Sequence, residues 1–395
     1  MNRPKPILLV SDSPELPTGL ARISGDLATL LSSDPAWRVG FLGLGGNGSR
    51  SFPFPVYQVN EKAGMWGEGD LAHVWDDFAG AERGVIMTVW DITRTAWMAM
   101  SQVHPPGATR DFLSSGRFKL WGYFPVDATG PYERFTFLAK EAYQGYDRVL
   151  FYTQWAAKLF SQTLARPAEW IPHGVNLDVF KPHPVLEGRK ILYPRVDDHT
   201  FLIGAVATNQ ARKDWGLVFE TVAKLRDILR PSGTRVHLWA HTDLLIRYWN
   251  LNALSSDFGL KDDLTVTLNL SQEDLAKLYS ACDVTLAPGL GEGFGYPIVE
   301  SLACGTPVIH GNYGGGAELL QFADKAGWLV APVGWRYEGE HNCLRPVFNA
   351  QDWVEKILSV GRPRQEECRA LVEHLDWKKL WPSVWAKWFK RGEIA

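Results

Sequence analysis

Short apolar runs alternate with segments of helical spacing along most of this chain, and that alternation limits the folds open to it. Ile7–Ser11 predicts a buried strand, and Gly19–Leu31 has apolar residues three and four positions apart, as in an amphipathic helix. The pattern recurs, with further helices predicted at Gln154–Leu164 and Trp215–Leu229. Strands that alternate with helices favour a parallel sheet covered on both faces, so we predict an α/β fold.

A proline-rich break divides the pattern into two halves. Residues 172–200 contain four prolines, a density that predicts a linker without regular structure. The alternation then resumes at Phe201. At 395 residues the chain is long enough for two domains, and we predict them at 1–175 and 176–375. A tryptophan-rich amphipathic helix is predicted within 376–395.

Charge and cysteine content exclude several classes of protein. The 41 Lys and Arg against 44 Asp and Glu give a formal charge of −3, so no global field draws nucleic acid or membrane to the chain. Four scattered cysteines provide neither a disulfide framework nor a zinc motif, which fits a reducing compartment. No uncharged apolar run reaches the roughly 18 residues of a membrane span. We therefore expect a cytoplasmic protein without a transmembrane segment.

The segment that most restricts function follows a predicted strand ending at Ala287. It holds four glycines in seven residues, at 289, 291, 293 and 295. Such a loop lets backbone approach a ligand closely and leaves N–H groups for an anion. Pro297 suits the first turn of the next helix. A ligand would then meet a helix N-terminus at the carboxyl end of a parallel strand, the usual phosphate site of open α/β sheets.

Two glutamates belong to this segment. Glu292 lies in the glycine loop and Glu300 in the second turn of the predicted helix. Alone, a glycine loop is often a structural turn, and a helical glutamate usually faces solvent. Together on a strand–loop–helix, they favour a site in which carboxylates accept hydrogen bonds from vicinal hydroxyls, as a nucleotide sugar presents.

The spacing of the two glutamates resembles the E-x7-E motif of retaining glycosyltransferases with the GT-B fold. Four further segments are similar to landmarks of that family: 171–176, 303–309, 314–320 and 327–332. The resemblance is strong over about 170–335 and weaker over 1–170. It implies two Rossmann-like domains facing a cleft, with the acceptor bound by the N-terminal domain and the donor by the C-terminal one. It also implies that the final helix packs back toward the N-terminal domain.

The resemblance assigns roles around the glycine loop. Glu292 would contact the donor sugar, and Glu300 the ribose of the nucleotide. The backbone around Gly293, Phe294 and Gly295 would lie near the sugar or the diphosphate.

A second group follows the strand that begins near Phe201. Arg212 and Lys213 stand where the family keeps its diphosphate-binding cations. Thr208 and Asn209 stand where an earlier arginine is more usual, and we predict that they contact the donor. The two cations would stabilise charge developing on the departing nucleoside diphosphate. Solvated basic residues at a helix start are the alternative. The chain has no Asp-x-Asp, so we expect no metal and no cofactor beyond the nucleotide-sugar substrate.

The N-terminal half offers fewer matches. Gly19 fits a glycine-rich loop that faces the donor in the family, and Thr18 would cap the helix or contact a ligand. Asp127 stands near the place where many members have a histidine, which makes it a candidate catalytic residue, and Asp91 is a second one. Each of these acids alone is more often a turn or cap residue. His173 is expected to orient backbone.

The predicted function is a metal-independent, retaining hexosyltransferase that moves a sugar from a nucleotide sugar to a hydroxyl acceptor. Because no carboxylate is clearly placed as a nucleophile, the resemblance favours same-face chemistry. The acceptor stays open among saccharides, lipids, small metabolites and modified bases in DNA. Segment 16–22 resembles virus-encoded members, some of which glycosylate hydroxymethylated bases in DNA. A non-catalytic nucleotide-sugar binding protein is the second class of function open to the chain, and a nucleotide-sugar epimerase, which fits less well, is the third.

Overall fold

The computed structural model describes residues 3–322, 328–339, 341–361, 363 and 365–392. The chain divides into two compact units, Met1–Pro172 and His173–Ala395, which we call unit 1 and unit 2. Gly327, part of a family landmark, and residues 393–395 of the predicted final helix lie outside the described residues.

Unit 1 is built on a seven-stranded parallel sheet in the order β3-β2-β1-β4-β5-β6-β7. Its strands are β1 (Lys5–Asp12), β2 (Trp37–Leu44), β3 (Val56–Gln58), β4 (Gly84–Thr88), β5 (Phe118–Phe124), β6 (Arg148–Phe151) and β7 (Glu169–Trp170). Its helices are α1 (Gly19–Ser32), α2 (Leu71–Ala79), α3 (Ile92–Ala99), α4 (Ala108–Ser114), α5 (Phe137–Gln144) and α6 (Gln154–Leu164). Seven of the eight β1 residues are buried, as expected of a central strand with both faces covered.

Unit 2 has a second parallel sheet in the order β10-β9-β8-β11-β12-β13, with an antiparallel hairpin of β14 and β15. Its strands are β8 (Thr200–Val206), β9 (Arg235–His241), β10 (Leu264–Thr267), β11 (Val284–Ala287), β12 (Val308–Gly311), β13 (Leu329–Val330), β14 (Gly334–Glu338) and β15 (Cys343–Val347). Its helices are α7 (Val185–Ile191), α8 (Trp215–Leu229), α9 (Leu251–Asp257), α10 (Gln272–Ala281), α11 (Tyr296–Ala303), α12 (Gly314–Phe322), α13 (Ala350–Val360), α14 (Gln365–Ala370), α15 (Trp377–Leu380) and α16 (Ala386–Gly392). The two separate parallel sheets confirm the predicted fold class.

One local prediction was wrong. The proline-rich segment contains α7, because Pro184 precedes the helix at its N-cap and does not interrupt it. The predicted final helix is present over residues 377–392, with a wider π-helical turn at 381–385 between α15 and α16. Pro382 lies in that turn and has no N–H to donate to a regular α-helical ladder. The predicted packing of this segment toward unit 1 stays a prediction.

Trp75 on α2 anchors the apolar core of unit 1. Its side chain is fully buried, with its ring centroid 5.8 Å from that of Phe112 and 6.1 Å from that of Phe118. Because no small group can refill that volume, we expect Trp75→Ala to lower the free energy of unfolding of unit 1 by about 3–5 kcal/mol. Hydrogen exchange of the β1 and β4 amides measures this for unit 1 alone.

Phe137→Ala is the matched control, because that ring is 76% exposed on α5 of the same unit. It should change the free energy of unfolding obtained from the same amides by less than about 1 kcal/mol. Equal losses in the two variants would contradict the placement of Trp75 in the core.

Candidate functional site

The sheet of unit 2 changes its winding direction between β8 and β11. These strands are parallel neighbours, with Leu286 opposite Ala205, but β8 connects to β9 on one side and β11 to β12 on the other. Open α/β sheets bind ligands outside the carboxyl ends of the strands at such a switch point. A pocket lies there, lined among others by Val206, Lys213 and Glu292.

The glycine loop after β11 forms one wall of the pocket. Gly295 occupies the N-cap of α11 with a left-handed φ of 97°, which a residue with a side chain rarely adopts. A Cβ at Gly289 would lie 2.9 Å from a carboxylate oxygen of Glu292. The loop therefore needs glycine at these positions to turn into the helix and to pack against that carboxylate.

A short turn before α8 forms the opposite wall. Asp214 caps α8 by accepting a hydrogen bond from Leu217 N at 3.2 Å, and Arg212 precedes it on the turn. Arg212 Nη1 donates to Gly291 O at 3.0 Å, while Arg212 O accepts from Leu290 N at 2.7 Å. These two hydrogen bonds fix the cationic turn against the glycine loop.

Lys213 and Glu292 form an ion pair inside the pocket. Lys213 Nζ donates to Glu292 Oε1, and the two side chains are only 10% and 14% exposed. Burial by itself raises the pKa of Glu292, but the charges of Lys213 and Arg212 outweigh it and hold that pKa below the ordinary value. The structure thus brings together the three residues predicted to act on the donor sugar and diphosphate, with Glu292 ionised at neutral pH.

The sequence analysis missed His310, which lies beneath this pair at the end of β12. Its Nδ1 is 2.6 Å from Ala287 O, so Nδ1 carries the proton and donates to that carbonyl. Among the described residues its buried Nε2 has no hydrogen-bond partner. Burial lowers the pKa of His310 although the Glu292 carboxylate acts against this, so the imidazole is neutral.

The backbone of Glu292 is held by hydrogen bonds from the side on which His310 lies. Its carbonyl oxygen accepts hydrogen bonds from Gly315 N at 3.0 Å and Gly316 N at 3.3 Å, the first turn of α12. A Cβ at Gly316 would lie 2.6 Å from His310 Nε2, so this turn sits directly on the imidazole. In the sequence, this turn was marked only by the resemblance of segment 314–320 to a family landmark.

Glu300 lies deeper in unit 2 than the pocket. It is 2% exposed on α11, and Tyr279 on α10 donates its hydroxyl proton to Glu300 Oε2 over 3.1 Å. Glu300 is not among the residues that line the pocket. Its contact with a ribose stays a prediction.

Asn209 has a structural role in the loop after β8. The side-chain amide donates to Leu244 O and Trp249 O, both at 2.8 Å, and its oxygen accepts from Trp249 N at 2.9 Å. Both amide hydrogens are therefore used to hold the segment 244–249. Direct contacts of Thr208 and Asn209 with a donor stay predictions.

Phe294 is buried in the glycine loop and packs on His173, with the two ring centroids 3.8 Å apart. The same imidazole lies 4.5 Å from the ring of Tyr296. His173 thus packs, with tilted ring planes, against the two residues that flank Gly295. This agrees with a role in shaping the backbone of the loop.

Unit 1 has its own change of winding direction, between β1 and β4. Asp12 at the end of β1 is buried and was not predicted. It accepts hydrogen bonds from Trp90 Nε1 at 2.8 Å, Thr18 Oγ1 at 2.8 Å and Arg94 Nη1 at 3.2 Å. Thr18 also caps α1, whose first residue is Gly19, by accepting from Ala21 N.

The two acidic candidates of unit 1 lie near one buried tyrosine. Burial raises the pKa of Tyr143 well above its ordinary value, and the charges of Asp91 and Asp127 add to the effect. Asp91 forms an ion pair with Arg94 at 3.7 Å, and Asp127 is half-buried after β5. The catalytic role of Asp127 stays a prediction.

Part of unit 2 matches a known protein family. Residues 248–336 fit the family model described as "Glycosyl transferases group 1". The chain is 30% identical over 239 residues to a D-inositol 3-phosphate glycosyltransferase of Mycobacterium sp. strain JLS, covering 58% of this chain and 48% of that protein. The chain thus spans about half the length of the curated relatives it matches.

Solved structures match over nearly the whole chain. Sucrose-phosphate synthase from Thermosynechococcus elongatus gives a TM-score of 0.72 at 17% identity, covering 99% of this chain and 100% of that one. The Anabaena protein Alr3699/HepE, in complex with UDP and glucose, gives 0.70 at 16% identity, covering 98% and 100%. Within the described residues, no helix has both the length and the apolar composition to cross a bilayer. The chain therefore has the predicted GT-B fold of two Rossmann-like domains, and its relatives are glycosyltransferase enzymes.

The buried ion pair makes a prediction about stability. Lys213→Met and Glu292→Gln should each lower the free energy of unfolding of unit 2 by about 3–5 kcal/mol, because each leaves one buried charge without its partner. The double variant should lose clearly less than the sum, since no buried charge then remains. Hydrogen exchange of the β8 and β11 amides measures all three, and additive losses would contradict the pairing.

The same pair predicts a dependence on pH. Because the pKa of Glu292 is lower in the folded chain than its ordinary 4.5, its contribution to stability is present above that pH and is lost as the pH falls through the folded value. Unfolding by urea at pH 7 and at pH 3 should show this loss in the wild type. Glu292→Gln should lack that part of the acid dependence, and an unchanged dependence would contradict it.

Proposed function

We propose that this protein is a retaining glycosyltransferase that moves a hexosyl group from a nucleotide sugar to a hydroxyl acceptor. The observation that carries the proposal is the Lys213–Glu292 pair in a pocket at the switch point of unit 2. The match to glycosyl transferases group 1 supports it, as does the likeness to a fold that binds UDP and glucose in the Anabaena protein.

The two charges of the Lys213–Glu292 pair suit different parts of a nucleotide sugar, the diphosphate and the sugar. Lys213 and Arg212 are the cations for a diphosphate, and Glu292 is the acceptor for sugar hydroxyls. When a donor binds, each charge exchanges its present partner for a ligand group of the required kind. Lys213 and Glu292 therefore each have a polar partner both with and without the nucleotide sugar.

The chemistry assigned to the site follows from these charges. The bond between the anomeric carbon and the phosphate oxygen breaks with its electron pair leaving on the diphosphate, where Arg212 and Lys213 stabilise the added charge. The acceptor hydroxyl attacks from the face that the leaving group vacates, so the configuration is retained. Its proton passes to a phosphate oxygen of the departing nucleoside diphosphate.

Gly293, Phe294 and Gly295 supply the backbone next to the transferred sugar in this proposal. Glu300 is assigned to the ribose. Because Arg212 and Lys213 are assigned to the diphosphate in this proposal, we further propose that the reaction needs no divalent metal. Four free cysteines fit a reducing compartment, and we propose the cytoplasm.

For the acceptor we favour a polyhydroxylated small molecule bound by unit 1. The curated relatives are named for inositol 3-phosphate, and one structural neighbour is a sucrose-phosphate synthase. A hydroxymethylated DNA base is the second candidate, on the likeness of segment 16–22 to virus-encoded members. A non-catalytic binding protein is disfavoured by the complete Arg212, Lys213 and Glu292 set.

Glu292→Gln tests the central assignment. Turnover should fall about 100-fold or more, because the sugar loses its charged partner as the bond breaks. Affinity for UDP should stay equal or rise, because Lys213 is released from its ion pair. Steady-state rates with UDP-glucose, including hydrolysis of the donor by water, and calorimetry with UDP measure the two effects.

Glu273→Gln is the matched control, since that carboxylate is exposed on α10 of the same unit and should affect neither quantity. Lys213→Met should lower both turnover and UDP affinity. Normal turnover in Glu292→Gln would remove the assignment of the donor sugar to this pocket.

Metal independence has its own test. Treatment with EDTA followed by gel filtration should leave the transfer rate within about twofold of the untreated enzyme, because the cations on the diphosphate are side chains. Magnesium or manganese added back should give no recovery beyond that range. A loss that either metal restores would overturn the metal-free proposal while leaving the transferase assignment in place.

A further inference from the structure

Tyr279 contacts the carboxylate that the proposed function assigns to the ribose. Its hydroxyl donates to Glu300 Oε2 at 3.1 Å, and both side chains are buried. A carboxylate 2% exposed is stable only where hydrogen bonds replace its lost hydration. Tyr279 therefore supplies part of what orients the Glu300 carboxylate inside unit 2.

Tyr279 itself is fixed at three points. Its ring lies edge-on to Trp239, with centroids 5.8 Å apart and an interplanar angle of 85°. Its carbonyl oxygen accepts from Thr306 Oγ1 at 2.7 Å, at the end of the loop that follows α11. The hydroxyl is the third point. Another rotamer of the phenol would lose the contact with Trp239 and the hydrogen bond to Glu300, so the packing of β9, α10 and α11 sets the position of the hydroxyl oxygen.

We propose that Tyr279 is the positioning residue that aims the Glu300 carboxylate at the ribose diol of the donor, so that this enzyme selects ribonucleotides over deoxyribonucleotides. The inference rests on the proposed function, because it requires a nucleotide in unit 2. Tyr279 touches no substrate and acts only through Glu300.

The chemistry follows from the geometry of a carboxylate. Two vicinal hydroxyls are recognised best when both carboxylate oxygens lie in the plane that the diol presents. A carboxylate on a three-bond side chain has rotational freedom, and a hydrogen bond to one oxygen removes it. The Tyr279 hydroxyl thus holds one oxygen of Glu300 in place before a ligand binds, and Tyr279→Phe removes that hydrogen bond.

The test is a cycle between the tyrosine hydroxyl and the ribose hydroxyls. UDP, ADP and GDP are titrated into the wild type by calorimetry, and the tightest binder is compared with its 2′-deoxy and 3′-deoxy forms. Tyr279→Phe should bind the ribonucleotide about tenfold more weakly than the wild type. One of the two deoxy forms should bind the wild type more weakly than the ribonucleotide does. The affinity of Tyr279→Phe for that form should be within about twofold of the wild-type affinity, because the ribose hydroxyl that Glu300 contacts is already absent.

Two measurements separate positioning from a general loss of structure. Inorganic pyrophosphate, which lacks a ribose, should bind the wild type and Tyr279→Phe equally. Tyr146→Phe is the matched control, because it removes another buried tyrosine hydroxyl, 3.1 Å from Thr88 Oγ1 in unit 1, and should leave nucleotide affinity unchanged.

The outcomes are distinct. Unchanged ribonucleotide affinity in Tyr279→Phe, or equal losses for the ribo and deoxy forms, overturns the inference and leaves the proposed function standing. A wild type that binds none of the three nucleotides overturns both. Selective loss of the ribonucleotide with unchanged pyrophosphate binding supports the inference.

Discussion

A lysine and a glutamate, each about nine-tenths buried, can share one small pocket only as partners. This requirement organises the site of unit 2. The hydrogen bonds between Arg212 and the glycine loop set the separation of the two walls, and the first turn of α12 holds the Glu292 backbone. His310 stays neutral beneath the pair, so it adds no third charge. Each contact keeps two opposite charges within reach of each other and of the pocket.

Both units place polar groups where their sheets change winding direction, although they do so with different chemistry. In unit 2, Lys213 and Glu292 line a pocket, and Arg212 is hydrogen-bonded to the glycine loop beside it. In unit 1 the carboxylate of Asp12 is enclosed by an indole, a hydroxyl and a guanidinium, all of them donors. A parallel sheet exposes the carboxyl ends of its strands only on one edge, so both arrangements follow from the same topological rule.

Much of this could be predicted from local pattern. The helices Gln154–Leu164 and Trp215–Leu229 have the predicted bounds because their apolar spacing and their caps agree. The glycine loop and its two glutamates were visible because every member lies within one strand–loop–helix segment. The prediction of a linker without regular structure failed at α7 because it rested on the number of prolines. That number does not distinguish a proline at an N-cap, such as Pro184, from one inside a helix.

Other features depend on contacts between distant parts of the chain and have no local signature. Asp12 meets Trp90 across 78 positions, and His310 reaches Ala287 across 23. Tyr279 has the helical spacing of any core residue, so nothing in the sequence distinguishes its hydroxyl bond to Glu300. Strand order brings these residues together, and single-sequence patterns do not determine strand order.

The saturated amide of Asn209 has a consequence for protein engineering. Asn209 lies four positions before Lys213, and its side chain makes three hydrogen bonds to segment 244–249. A grafted loop that keeps the backbone hydrogen-bonding groups of Leu244 and Trp249 should leave Asn209, and so the cationic turn, in place. A loop without those groups should displace the turn. Loop libraries built here should therefore hold the backbone path at Leu244 and Trp249 constant and vary the four residues between them.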